Sequence, residues 1–410
     1  MRNIGRRAVL AGGLAGLAGC VGGETEADTP PVVNSTPTGP SSETPSEAGS
    51  SGAASPSESP NQGRRLTIVT SGDLLWHNTL WLAAAADHSR TGKGETYDFD
   101  PMFAMMKPII EGADLAIAHN EVPFAKPGGK PTGYPSFAAP SDIAPWMSTM
   151  GWDLATTASN HSLDQGFDGL VRTHQLLTDN GITVVGTYPS KAVKDQPFMV
   201  EKKGVKVSVV SGTYDLNGYV PPAGKEWCVD MWDVDRMVAE AKAAKKAGAD
   251  IVMAHLHGGD EYQTQPNADQ VKRATALANT PEIDLVFGEH VHVVQPITQI
   301  DGTWVAYGMG NMVAQHLTSV PRGYEGITIR WTLAEQDAPR EGKVGRFVVE
   351  KCEYIPTMIT NLRESGSCRL YPVKQALAEG RGPTDRLQVA LDRTRKAVIS
   401  LDPPSGLIEA

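Results

Sequence analysis

Between Arg64 and Asn311, short apolar runs rich in β-branched residues alternate with stretches of helical periodicity, and nearly every run stops on glycine or a polar side chain. This alternation constrains the chain more than any other feature. Strands separated by helices close as sheets covered by helices, so the expected class is α/β. The runs are 66–73 (LTIVTSGD), 113–121 (ADLAIAHNE), 152–161 (WDLATTASNH), 182–186 (ITVVG), 205–214 (VKVSVVSGTY), 250–259 (DIVMAHLHGG), 283–292 (IDLVFGEHVH) and 304–311 (WVAYGMGN). One helix is predicted after the third run, with Leu170, His174 and Leu177 on one face and Gly181 as its stop. Others are predicted over 234–248, ended by Gly248, and over 269–278. Past Tyr324 the pattern turns strand-rich (ITIRWTL, RFVVEKCEYI), and the last forty residues read as polar, helical or loose.

The first 62 residues follow other rules. MRNIGRRAVLAGGLAGLAGC joins Arg2, Arg6 and Arg7 to an apolar run too short to span a bilayer comfortably, then to Leu17-Ala18-Gly19-Cys20. This reads as a secretion signal over 1–19. The Arg6-Arg7 pair suggests the twin-arginine route, and the last four residues resemble a lipobox that leaves Cys20 lipidated. Residues 20–62 are Ser, Pro, Thr, Gly and Glu with few apolar side chains, a composition expected to stay disordered as a tether. The expected organisation is completed by a folded domain over 64–335 and a C-terminal extension over 336–410. The expected location is the outer face of the cytoplasmic membrane. Removing residues 1–19 takes away three Arg and no acid, moving the formal net charge from −10 to −13. So acidic a chain is a poor partner for nucleic acid and gains no pull toward anionic lipid, which leaves the lipid at Cys20 to hold it. Cys352 and Cys368 are close enough in sequence for a short-loop disulfide, with Cys228 left as a thiol.

Polar chemistry collects where the predicted strands end. Six of the ten histidines, His119, His161, His255, His257, His290 and His292, fall in four short windows at such ends. The same ends supply Asp73, Glu121, Asn160 and Asp164. In α/β sheets ligands bind beyond the carboxyl ends of the strands. Carboxylate, amide and imidazole without thiolate suit one or two divalent ions of the Mn, Fe or Zn kind. On extended segments, His255-x-His257 and His290-x-His292 each place two rings on one face. A buried strand running to His161 would fix Asn160 and His161 closely, and Asp164 would either orient His161 or cap the helix that follows.

Several short motifs then appear in order: Gly72-Asp73; Asp114, Glu121 and Pro123; Phe137, Pro140, Gly151, Asp153, Asn160, His161, Asp164 and Gly166; His257, Gly259, Glu261 and Tyr262; Gly288, His290 and His292; Gly310-Asn311. The set resembles the CapA family of poly-γ-glutamate capsule synthesis proteins, within the calcineurin-like metallophosphoesterase superfamily. The resemblance covers roughly residues 64–330. It implies a four-layer α/β/β/α sandwich with metal held by Asp73, Glu121, Asn160, His257, His290 and His292. His161, with Asp164, would be the acid or electrostatic helper, and His119, His255 and Glu261 are additional candidates. It further implies a metal-dependent hydrolase or transferase acting on an anionic polymer or phosphoester in capsule or envelope synthesis, within a membrane complex. The rival reading is a non-catalytic lipoprotein that helps export or retain such a polymer. Departures from the pattern are His119 where Asn is usual, Ser159 for Asn, Gly258 where Trp is common, and Glu289 beside the histidine pair. Leu75 stands where ordinary metallophosphoesterases carry His, and Glu121 stands where they carry Asp.

Overall fold

The computed structural model describes residues 63–315 and 319–410. The expected signal, Cys20 and the tether lie outside the described residues. Among the described residues, no helix is long and apolar enough to cross a membrane.

Strands β1 (Arg65–Leu74), β2 (Leu115–Asn120), β3 (Leu154–Thr156) and β4 (Thr183–Val185) lie side by side and parallel. A second sheet is built from β5 (Val200–Lys202), β6 (Val205–Thr213), β7 (Ile251–His257), β8 (Leu285–Glu289), β9 (Ile297–Ile300) and β10 (Thr303–Ala306). Its order is β5-β6-β7-β8-β10-β9, with β6, β7, β8 and β10 parallel. The chain then returns to the first sheet. There β11 (Asn311–Val313) pairs with the end of β1, and β12 (Glu325–Glu335), β13 (Phe347–Ile359) and β14 (Leu370–Pro372) extend it to the order β14-β13-β12-β1-β2-β3-β4. β15 (Leu407–Glu409) pairs with β13. The stretch after residue 335 therefore continues the first sheet, through a long antiparallel ladder between β12 and β13.

Side chains alternate along a strand, so each strand serves two layers. Leu66, Ile68, Leu115, Ile117 and Leu154 of the first sheet meet Val207, Val209, Ile251, Met253, Leu285 and Phe287 of the second in one buried layer. The opposite faces bury Ala116 and Ala118 under the helices Asn78–Thr91, Ile143–Thr149 and Gly166–Asp179, and Val252, Ala254 and Val286 under Val234–Lys246 and Ala268–Ala278. The result is a four-layer α/β/β/α sandwich with a strand-rich C-terminal region. Gly181 and Gly248 lie at positive φ after their helices, as expected of stops, and at the other helix Asn267 and Gln270 form a capping box that the sequence reading did not foresee.

Four expectations need correction. The run 152–161 is strand only over Leu154–Thr156, and a turn-rich loop carries Asn160 and His161. The run 304–311 divides between β10 and β11, because glycines at 308 and 310 turn the chain from one sheet to the other. β8 ends at Glu289, and His290 and His292 lie beyond it at φ 93° and 57°, so they are not an extended pair. Cys352 and Cys368 are free and buried, the first in the inter-sheet layer and the second in the helix-covered layer, which is why they do not pair.

Gly72 shows how tightly β1 is held. Asp73 N–H donates to the Gly310 carbonyl at 3.0 Å, and a Cβ on Gly72 would stand 1.8 Å from that same oxygen. Gly72→Ala is therefore expected to destabilise the fold by at least the roughly 1–3 kcal/mol typical of overpacking. Denaturant unfolding measures it, and a variant as stable as the parent would mean this crossing has slack.

Candidate metal centre

The carboxyl ends of strands from both sheets converge on one buried cluster. β1 delivers Asp73 at an irregular step opposite β11, with its side chain fully buried. Its Oδ2 is 3.1 Å from His292 Nδ1, and its Oδ1 is 3.4 Å from the His290 backbone nitrogen and 3.8 Å from His119 Nε2. Asn311, opposite Asp73 on β11, places its Oδ1 2.9 Å from His292 Nδ1. The positive φ at His290 and His292 turns these two rings back over the strand ends.

Glu121 follows β2 directly and is buried. Neither of its carboxyl oxygens has a hydrogen-bond partner, while Oε1 lies 3.8 Å from His292 Nε2 and 4.0 Å from His257 Nε2. A carboxylate so placed costs several kcal/mol unless it is neutral or faces a cation. Burial and the neighbouring Asp73 push its pKa well above the ordinary value. Burial opposes charge on His292, yet Glu121 and Asp73 hold its imidazolium up to about 10. Burial and nearby imidazoles keep His257 and His290 well below their usual value, which favours the neutral rings. One donor atom each from Asp73, Glu121 and His292 lies within 4.8 Å of the others. The same holds for Asp73, His119 and His257, and for Glu261, His290 and His292. Oxygen and imidazole donors around an unpartnered carboxylate fit a divalent ion of the Mn, Fe or Zn type.

The loop after β3 supplies the remaining groups. Ser159 replaces an expected Asn and acts as a tie: its hydroxyl donates to the Glu121 carbonyl at 2.5 Å and accepts from the His161 N–H at 3.1 Å. Asn160 Oδ1 is 2.9 Å from His257 Nε2, and its Nδ2 donates to Asn217 Oδ1 at 3.1 Å. His161 Nδ1 is 2.8 Å from Asp164 Oδ2, which also accepts from the Phe137 N–H at 2.8 Å. Asp164 does not cap the next helix, whose N-cap is Gln165 without a side-chain bond, so of the two expectations the orienting one describes the geometry. Phe137 packs edge-on against the His161 ring, with centroids 4.8 Å apart.

Asp73, Glu121, Asn160, His257, His290 and His292 are thus brought together, with the His161–Asp164 pair linked to them through Asn217. Glu261 is exposed at the edge of the cluster. His119 and His255 lie deeper, in the layer between the sheets. Sequence reasoning missed Asn217, which sits at φ 52° before Gly218 and reads only as a turn. It also missed Thr156 and Ser211, hydroxyls on β3 and β6 that meet Nδ1 of His119 and His255 at 2.9 and 2.7 Å. Ordinary strand residues carry no mark of such contacts.

Comparison with known proteins agrees with the resemblance in the motifs. The chain is 26% identical over 227 residues to the PGA biosynthesis protein CapA of Bacillus subtilis, covering 52% of this chain and 57% of that protein. To the capsule biosynthesis protein CapA of Bacillus anthracis it is 24% identical over 226 residues, covering 53% and 54%. The chain thus spans about half the length of these curated relatives. Among solved structures, the calcineurin-like phosphoesterase YfkN from Bacillus subtilis aligns with TM-score 0.43 and 17% identity, over 82% of this chain and all of that one. The family model described as bacterial capsule synthesis protein PGA_cap matches residues 67–316, more than half of the sequence, and the chain belongs to that family.

Proposed function

We propose that the protein is an exported, lipid-anchored, metal-dependent hydrolase or transferase that acts on an anionic polymer or phosphoester in capsule or cell-envelope synthesis. The observation that carries this reading is Glu121: a fully buried carboxylate with both oxygens unpartnered, ringed by Asp73, His257 and His292. Asp73, Glu121 and His292 would hold a divalent ion, with Asn160, His257 and His290 completing its surroundings. When bound, such an ion supplies Lewis acidity toward a phosphoryl or carbonyl oxygen and makes water a better nucleophile. Asn217 fixes the Asn160 amide so that Oδ1 faces His257. Asp164 engages His161 Nδ1, which leaves Nε2 as the atom that holds or releases a proton at a leaving group. The capsule link comes from the family, and polymer, membrane partners and anchoring at Cys20 are parts of the proposal.

A second reading rests on Leu75. Its side chain is buried where ordinary metallophosphoesterases carry a metal-binding His, so the cluster would hold an ion without turnover and the chain would assist export or retention of the polymer.

Two measurements separate these readings. Metal analysis of the purified protein is expected to find bound divalent ion, and Glu121→Gln to weaken it by at least the roughly 10–100-fold that even an outer-sphere partner contributes. Undiminished binding in that variant would remove Glu121 from the centre. His161→Ala is expected to lower turnover of a chromogenic phosphoester by about 10²–10⁴-fold with metal content unchanged, the usual range for a lost general acid. Asp164→Asn should shift turnover in the same direction by less. If the metal-loaded parent turns over no phosphoester or γ-glutamyl amide, the non-catalytic reading stands instead.

A further inference from the structure

A second group of metal-ligating side chains lies beneath the first. The inward faces of three strands run Leu115, Ile117, His119 on β2, Ile251, Met253, His255 on β7, and Leu285, Phe287, Glu289 on β8. On each strand the period-two pattern of apolar side chains between the sheets ends with a polar residue where another hydrophobe would fit. His119, His255 and Glu289 are at most 1% exposed. His119 Nε2, His255 Nε2 and both Glu289 oxygens have no hydrogen-bond partner. His255 Nε2 is nevertheless 2.5 Å from Glu289 Oε2, an ion-pair distance when the ring carries a proton, and the His119 and His255 rings have centroids 4.9 Å apart. One donor atom from each of the three residues lies within 4.8 Å of the others.

The far side of each ring is already committed. His119 Nδ1 meets Thr156 Oγ1 at 2.9 Å, and the Thr156 hydroxyl donates to the Ala118 carbonyl at 3.4 Å. The threonine proton being used there, His119 Nδ1–H is the donor and Nε2 keeps its lone pair. His255 Nδ1 is held 2.7 Å from Ser211 Oγ. Anchoring one imidazole nitrogen to an oxygen while the other faces an ion is how proteins orient metal-ligating histidines. A buried carboxylate faced only by His255 and a His119 Nε2 with no partner each cost free energy in an apolar layer, and a cation among the three removes that cost. The same three positions stood apart in the sequence, His119 in place of a usual Asn, Glu289 beside the histidine pair and His255 outside every motif.

We propose that His119, His255 and Glu289 form a second, enclosed site for a borderline divalent cation, zinc being best suited to two imidazoles and one carboxylate. The ion joins β2 of the first sheet to β7 and β8 of the second, just below the rim formed by Asp73, Glu121 and His292. Ligands about 2 Å from a tetrahedral ion stand roughly 3.3 Å apart. The His255–Glu289 pair therefore opens slightly as the ion enters. The site is separate from the centre of the proposed activity, although His119 reaches toward both, with Nε2 3.8 Å from Asp73 Oδ1.

The test is anomalous diffraction at the zinc edge from crystals of the unmutated protein supplied with zinc. The expected result is a peak bounded by His119 Nε2, His255 Nε2 and Glu289, distinct from any peak at Glu121 and His292. No peak at the inner position overturns the proposal, whether or not the rim is filled. An inner peak with an empty rim supports it and counts instead against the rim reading. In solution, Glu289→Gln and His255→Ala should each bind one zinc fewer per chain than the parent, while Asp73→Asn keeps the inner ion. Equal stoichiometry in a folded Glu289→Gln protein would also overturn it.

Discussion

The structure depends on a conflict that the fold creates and does not resolve with its own hydrogen bonds. Parallel strands from two sheets end close together, and at their ends Glu121 is shut away from water with both oxygens unpartnered. Water would satisfy such a group, but only about 1% of the residue's surface is exposed. The remaining compensation is positive charge, and the His292 imidazole, 3.8 Å from Oε1, is the described group placed to carry it, while burial keeps the neighbouring His257 neutral. Burial of Glu121, with Asp73 alongside, raises its proton affinity, while burial opposes charge on His292 and the two carboxylates nonetheless hold its imidazolium up to about 10. Both shifts express one demand for a cation, which protons meet in part and a divalent ion meets better. The chemistry proposed for the protein begins from this shortage of positive charge.

The scaffold is built to keep that shortage in place. Asp73 hangs on a backbone bond to Gly310, β11 pairs beside it, and Gly72 leaves no gap between the two. From the other sheet, the turn after β8 uses positive φ at two histidines, a conformation that side chains with a Cβ adopt rarely. Strain of this kind persists only where surrounding contacts over-determine it, and functional sites are where it collects. Here the Asp73 carboxylate, bound to the His290 backbone and the His292 ring, supplies that restraint.

Much of this was legible in the sequence because strand and helix periods are local. The alternation gave the α/β class, and the polar ends of the runs pointed to Asp73, Glu121, Asn160, His257 and His292, which the fold brings together. What failed were inferences that extended a local period past its end. WDLATTASNH reads as ten residues of strand, yet the strand stops at Thr156, because Ser159 and Ser162 offer the backbone side-chain hydrogen bonds that compete with a ladder. His290-x-His292 reads as an extended pair, yet both rings reach the cluster only because β8 has already ended. Asn217 was invisible for a different reason. Its partners, Asn160 and His161, are 57 and 56 residues away in the chain, and nothing in a turn-forming asparagine reports a distant contact.

Leu75 shows how a departure from pattern can be read in space. An aliphatic side chain two residues after Asp73 withdraws an imidazole from that flank, and Leu75 instead joins the buried layer beneath the helices. The register between β1 and β2, however, sets His119 directly opposite Asp73, and its Nε2 approaches the Asp73 carboxylate at 3.8 Å. His119 occupies a position where the resembling proteins carry Asn. The His119 ring lies 4.9 Å from that of His255, and one donor atom each from His119, His255 and Glu289 lies within 4.8 Å of the others. Leu75 lies just past the end of β1 and His119 near the end of β2 opposite Asp73, so the two departures, unrelated along the chain, fall at neighbouring strand ends.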